Sequence, residues 1–137
     1  MLRRGISMLA AVALVALASS AAVAQQNANF AGAWKGAWES GGDGGRFELT
    51  LQAGEDGALR GGVSVGQPMG DYEAKFSSVK IADGELTARY SYTPDAQADI
   101  ILTGKLQDGK LSGAWTMVAA GQDASAAFAA GTWKVSQ

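Results

Sequence analysis

Two hydrophobic patterns divide the chain. Over Leu9 to Val23 apolar residues run almost without interruption, behind Arg3 and Arg4 and ahead of the small residues Ala22-Val23-Ala24. That order of basic, apolar and small residues predicts a Sec-type export leader over residues 1–24, cleaved before Gln25. A retained membrane anchor is the alternative, but the run is shorter than the ~20 residues that cross a bilayer. No cysteine follows the run, which excludes a lipid anchor built on a thiol. From Phe30 onward the apolar period becomes two. Phe47, Leu49 and Leu51 alternate with Arg46, Glu48, Thr50 and Gln52, and Leu86, Ala88, Tyr90 and Tyr92 alternate with Glu85, Thr87, Arg89 and Ser91. Alternation of this kind is the mark of half-buried strands rather than helices.

Eight such segments are predicted: Phe30 to Ser40, Arg46 to Ala53, Ala58 to Gly66, Tyr72 to Ala82, Glu85 to Thr93, Ala98 to Gln107, Lys110 to Val118 and Ser125 to Val135. The phase slips across Ser77-Ser78 in the fourth and near Gly131 in the eighth, which predicts a β-bulge in each. Asp56-Gly57, Asp83-Gly84 and Asp108-Gly109 recur at spacings of 27 and 25 residues. Asp-Gly suits a tight hairpin because both turn positions need positive φ, and no EF-hand ligand spacing surrounds these aspartates. The other connections are longer: Gly41 to Gly45, Gln67 to Asp71, Pro94 to Gln97 and Ala119 to Ala124. Alternate turns of a meander lie at opposite ends, so one end is pinned by short turns and the other carries looser loops. Eight sequential strands in one small domain over residues 25–137 leave exposed edges unless the sheet closes. The predicted class is therefore all-β, an eight-stranded antiparallel up-and-down β-barrel, with a two-sheet sandwich as the alternative.

The inward phase sorts by height. Phe30, Leu51, Leu59, Ile81, Leu86, Leu106, Leu111, Trp133 and Val135 fall toward the Asp-Gly end, as a largely aliphatic plug. Toward the loop end fall Trp38, Phe47, Tyr72, Phe76, Tyr90, Tyr92, Trp115, Met117 and Phe128. Tyr and Trp join an apolar face to a polar handle, so these nine are the candidate residues for binding a small apolar or amphipathic ligand. A barrel filled solid by the same side chains is the competing reading. Glycines among the large inward residues, such as Gly104 and Gly113, are expected to let a neighbouring Trp lie against backbone.

Composition narrows the chemistry. With Arg3 and Arg4 removed, nine bases face thirteen acids, a net charge of −4, which predicts no nucleic-acid partner and no attraction to anionic lipid. The absence of His and Cys removes Ser-His-Asp and Cys-His catalysis, imidazole and thiolate metal sites and disulfides, and no cofactor is expected. Asp71, Glu73, Asp95 and Asp99 are read as solvated loop acids rather than a catalytic pair, and Ser77, Ser78 and Lys80 as bulge residues, so the chain is read as a non-enzyme. An outer-membrane barrel would turn the apolar phase to lipid and crowd Arg46, Glu48, Arg60, Lys75, Arg89 and Lys105 inside, so the mature protein is expected not to be membrane-embedded.

The motifs carry a resemblance. Gly32-Ala33-Trp34 and Gly36-Ala37-Trp38 repeat the Gly-x-Trp that opens lipocalin-like and avidin-like (calycin) barrels. Together with Leu102-Thr103-Gly104, the Asp-Gly-x-Leu-x-Gly of Asp108 to Gly113 and the closing Gly131 to Lys134, they make the chain resemble a class of small secreted bacterial barrels of undefined function. The absence of cysteines and of a terminal helix makes the avidin-like outline the closer one. The export leader implies a periplasmic or secreted location. The resemblance implies a structural pair in which Trp34 closes the barrel floor beneath Lys134. A module that contacts another envelope protein is the alternative function.

Overall fold

The structure, a computed structural model, describes residues 27–137; the predicted leader lies outside them. Eight strands form a closed antiparallel barrel in sequential order: β1 (Gly32–Ser40), β2 (Asp43–Ala53), β3 (Leu59–Val65), β4 (Tyr72–Ala82), β5 (Glu85–Ser91), β6 (Ala98–Gln107), β7 (Lys110–Ala119) and β8 (Ala129–Ser136). Closure comes from β8 pairing with β1, Val135 opposite Gly36 and Trp133 opposite Trp38. The barrel has no free edge, which answers the problem that eight short strands pose.

Every described charged side chain stays out of the core, which is built from Trp34, Phe47, Leu49, Leu51, Leu86, Leu102, Leu111, Trp133 and their neighbours. Arg46, Gln52, Arg60, Lys75 and Lys105 are exposed on the outer wall. The polar phase therefore faces outward and the apolar phase inward, opposite to the distribution of a lipid-facing barrel. Among the described residues no helix is long and apolar enough to cross a membrane.

The turns follow the expected chemistry in part. Asp83-Gly84 and Asp108-Gly109 hold positive φ at both positions, 53° with 76° and 53° with 74°, as a two-residue primed turn requires. The third hairpin of this kind is Gly41-Gly42 (φ 55° and 96°) at the loop end, because β2 begins at Asp43 and pairs it with Ser40. The expected long connection from Gly41 to Gly45 is thus a strand extension. At Asp56-Gly57 the turn is wider. Gly54 N–H donates to Ala58 O and Ala58 N–H to Asp56 Oδ1, so residues 54–58 form a capped loop.

The fourth-strand bulge lies where the phase slips: Phe76 pairs with Tyr90 but Ser78 with Arg89, and Ser77 Oγ donates to Arg89 O. The eighth strand has no bulge. Its register with β7 is continuous from Ala129 opposite Met117 to Ser136 opposite Lys110. Residues 124–126 instead form a 3₁₀ turn capped by the Asp123 carboxylate, which accepts from Ser125 N–H. Phe128 follows that turn, bonded through its N–H to Met117 O, with its side chain outside the barrel and 64% exposed.

Residues 27–30 are helical, so the first strand begins at Gly32 rather than at Phe30, and this turn closes the lower end. Asn27 Nδ2 donates to Gly57 O at 2.7 Å, Phe30 is buried, and Trp34 Nε1 donates to Phe30 O at 3.0 Å. Trp34 is therefore a floor residue, but Lys134 is not its cover. Lys134 is exposed on the outer wall of β8, opposite Ala37 and Ser112, because it falls on the polar phase next to inward Trp133 and Val135.

Candidate functional site

At the loop end the barrel keeps a half-open cavity of about 50 Å³. Strand ends position its walls. Trp38 comes from the top of β1, Phe47 from β2, Tyr72 from the start of β4, Tyr90 from β5, and Trp115 and Met117 from β7; Tyr92 follows β5. These seven are among the nine residues singled out in the sequence. Phe76 is half-buried and packs behind Tyr90, ring centroids 6.1 Å apart, without lining the cavity. Phe128 is excluded by the turn that directs it outward.

Four lining residues were not singled out: Val65, Gln67, Ile100 and Leu102. Ile100 and Leu102 are legible as inward positions of the sixth strand, but nothing in the alternation shows that they reach the cavity floor. Gln67 sits in the connection before Pro68, where a polar residue reads as solvated loop. Its side chain turns in instead: Nε2 donates to the Tyr92 hydroxyl at 3.0 Å, and that hydroxyl lies 3.2 Å from Gln67 Oε1.

Trp133 stands higher than its distance from the nearest turn implies. It sits near mid-barrel beneath the cavity, tilted against Phe47 with centroids 5.5 Å apart, because β8 is staggered so that Trp133 lies opposite Gly113 and Trp38. The stagger of a closed barrel lifts one strand relative to another by residues that a count from the nearest turn does not include. Gly104 makes room for an indole, as the inward pattern implies, and Gly131 does so as well, whereas a Cβ at Gly113 would meet the backbone of Thr103 and Gly104 rather than a Trp. A Cβ at Gly104 would stand 2.6 Å from Trp133 Cζ2, and one at Gly131 2.7 Å from Trp115 Cε2.

The rings lock one another. Trp38 and Trp115 meet edge to face at 6.0 Å, as do Tyr72 and Tyr92 at 5.2 Å, and such pairs contribute about 0.5–1.5 kcal/mol each beyond area burial. The indole N–H groups are all satisfied by backbone: Trp38 by Gly66 O at 2.8 Å, Trp115 by Glu39 O at 3.3 Å and Trp133 by Ala114 O at 2.9 Å. Tyr72 and Tyr90 share one hydrogen bond, hydroxyl to hydroxyl, at 3.0 Å. Burial pushes the Tyr72 hydroxyl up to about 12, and it pushes that of Tyr90 up further, with Tyr72 adding to it. Both hydroxyls are therefore neutral donors and acceptors at ordinary pH.

The carboxylates considered for catalysis do not converge. Asp71 pairs with Arg46 at 3.3 Å on the outer wall, Asp95 accepts from Gln97 N–H in its turn, and Glu73 is exposed. Asp99 is no solvated loop acid. It is paired with Arg89 at 2.8 Å, side chains 16% and 25% exposed, and it accepts from Gly121 N–H, while Arg89 also donates to Gln122 O. This ion pair straps the connection between β7 and β8 across the outside of the barrel, where Val118 lies buried. Comparison of the chain with protein-family models, with curated proteins and with solved structures found no match.

Proposed function

We propose that the mature protein is an exported, periplasmic or secreted calycin-like barrel that binds one end of a small apolar or amphipathic molecule at its mouth. One observation carries this reading: the barrel is filled below Trp133 but keeps a half-open, aromatic-walled cavity at the loop end, lined by no ionised side chain. About 50 Å³ is well below the roughly 150 Å³ of a cavity that engulfs a benzene ring. The ligand therefore inserts a group of a few atoms and rests the remainder against Trp38 and Trp115 at the rim. The calycin-like assignment is supported by the closed eight-stranded order and the Gly-x-Trp motif at Trp34. Binding rather than catalysis is favoured because Asp71, Asp95 and Asp99 are each held in separate structural contacts.

The test is titration of the secreted protein with a fluorescent apolar probe and with lipid extract, against Trp38→Ala and Met117→Ala variants that retain the barrel circular dichroism. Loss of binding in both supports the site; unchanged binding in folded variants refutes it. A second reading, an envelope interaction module, draws on Met69, 96% exposed, and Phe128 on two loops of the same end. Stoichiometric recovery of one envelope protein, lost in Met69→Ser with Phe128→Ser, would favour it over ligand binding.

A further inference from the structure

The polar groups of the mouth define which ligand chemistry fits, an inference that rests on the proposed site being a binding site. No carboxylate, ammonium or guanidinium lines the cavity; its side-chain polar atoms are those of Trp38, Trp115, Gln67 and three tyrosines. Most are already committed. Each indole N–H donates to a backbone carbonyl, and Gln67 and Tyr92 bond each other, which leaves over only the second N–H of the Gln67 amide. Tyr72 and Tyr90 are different. Their two hydroxyls carry two protons, and the single bond between them at 3.0 Å consumes one. Among the described residues the other proton has no acceptor. A hydroxyl hydrogen rotates to suit its partner, so whichever tyrosine accepts the shared bond keeps a donor for whatever enters the cavity.

We propose that the site takes a neutral molecule with an apolar, ring-like body and an acceptor oxygen of the ketone class, the oxygen accepting the spare proton of the Tyr72–Tyr90 pair. A carboxylate would leave water for a cavity with no cation, which is the costly way to bury a charge. A quaternary ammonium would want open ring faces. Here each edge-to-face pair, Trp38 with Trp115 and Tyr72 with Tyr92, already sets one ring face against a neighbour's edge, and no acid balances a cation. A purely apolar body fits the rings but leaves the hydroxyl unsatisfied as water is displaced.

Four probes with a common phenyl ring separate these cases: acetophenone, cumene, benzoate and phenyltrimethylammonium, titrated at pH 7 into the mature secreted protein with Trp fluorescence and NMR shifts as readouts. Acetophenone is expected to bind about 3- to 10-fold more tightly than cumene, the worth of one neutral hydrogen bond, and about 10-fold or more above both ions. The double variant Tyr72→Phe with Tyr90→Phe keeps both rings and removes both protons. In it the margin of acetophenone over cumene is expected to vanish while cumene still binds. Tightest binding by either ion, or an undiminished margin in the double variant, overturns the ketone assignment and leaves the binding site standing. If none of the four binds at millimolar concentration, the ligand reading of the mouth falls with it. Should the double variant fail to fold, the ranking of the four probes on the native protein decides alone.

Discussion

Replacing Gly104 by Ala tests whether the floor of the cavity is set by an indole seated on bare backbone. The added Cβ would lie 2.6 Å from Cζ2 and 2.8 Å from Cη2 of Trp133, and 3.1 Å from Ser112 O. Carbon atoms rest at about 3.5–4.0 Å, so the ring must withdraw by about 1 Å. It has little freedom to do so: Trp133 is 2% exposed, its Nε1 is held by Ala114 O at 2.9 Å, and Phe47 lies against it at 5.5 Å. Overpacking a filled core costs about 1–3 kcal/mol. The lower chain entropy of Ala in the unfolded state offsets about 0.5–1 kcal/mol of that, leaving a net loss of about 1–2 kcal/mol and a Tm lower by roughly 5–10 °C. Equilibrium urea unfolding followed by circular dichroism measures it. Trp133→Phe removes Cζ2 and Cη2, so in that background Gly104→Ala should cost at least about 1 kcal/mol less. An equal cost in both backgrounds, or no cost in either, would refute the seating of Trp133 on Gly104.

Arg89→Ala strands the largely buried Asp99 carboxylate and frees Gln122 O, so a loss of about 1.5–3 kcal/mol is expected, with faster amide exchange at Gly121; unchanged stability would sink the strap. Alkaline stability follows from the tyrosine pair. Tyrosines of the unfolded chain ionise near 10 while Tyr72 holds its proton to about 12 and Tyr90 beyond, so the stabilisation is complete below pH 10 and falls above it. The slope is up to ~1.4 kcal/mol per pH unit for buried Tyr90 and smaller for half-buried Tyr72, whose hydroxyl is partly screened by solvent, and thermal melts between pH 9 and 11.5 should be visibly flatter for the Tyr72→Phe, Tyr90→Phe protein. Gly84→Ala meets nothing within 4 Å but sits at φ 76°, so it should cost about 1 kcal/mol from backbone strain alone, with the native near-ultraviolet spectrum retained.

The barrel was legible because period two is a local signal that a closed sheet uses everywhere. Phe47, Leu49 and Leu51 point inward while Arg46 and Thr50 point out, and the slip at Ser77-Ser78 survives as a shift in pairing because an extra residue turns every later side chain over. Signals at element ends were weaker for a physical reason. Gly41-Gly42 supports a primed turn as well as Asp-Gly does, so β2 could start three residues earlier than its first apolar residues suggest. Near Phe128 the run of small residues carries little phase, and a 3₁₀ turn capped by Asp123 displaced the expected strand and its bulge.

The candidate site was legible by kind and not by size. Seven of the aromatic and thioether residues placed at the loop end do line the cavity, because alternation fixes facing and turn position fixes height to within the barrel's stagger. That stagger is why a count from the nearest turn puts Trp133 too low. Whether space remains among the rings is a different quantity. It depends on the edge-to-face angles of Trp38 on Trp115 and Tyr72 on Tyr92, and on Gln67 folding inward to bond Tyr92, none of which leaves a periodic trace. The Arg89–Asp99 strap leaves no sequence signal for a related reason. On the outward phase of neighbouring strands the two read as surface charges, and only the connection near Gly121 and Gln122, folded back over Val118, withdraws them from water. Since that connection rises from the end of β7, whose Trp115 and Met117 line the mouth, the strap holds one wall of the site from outside.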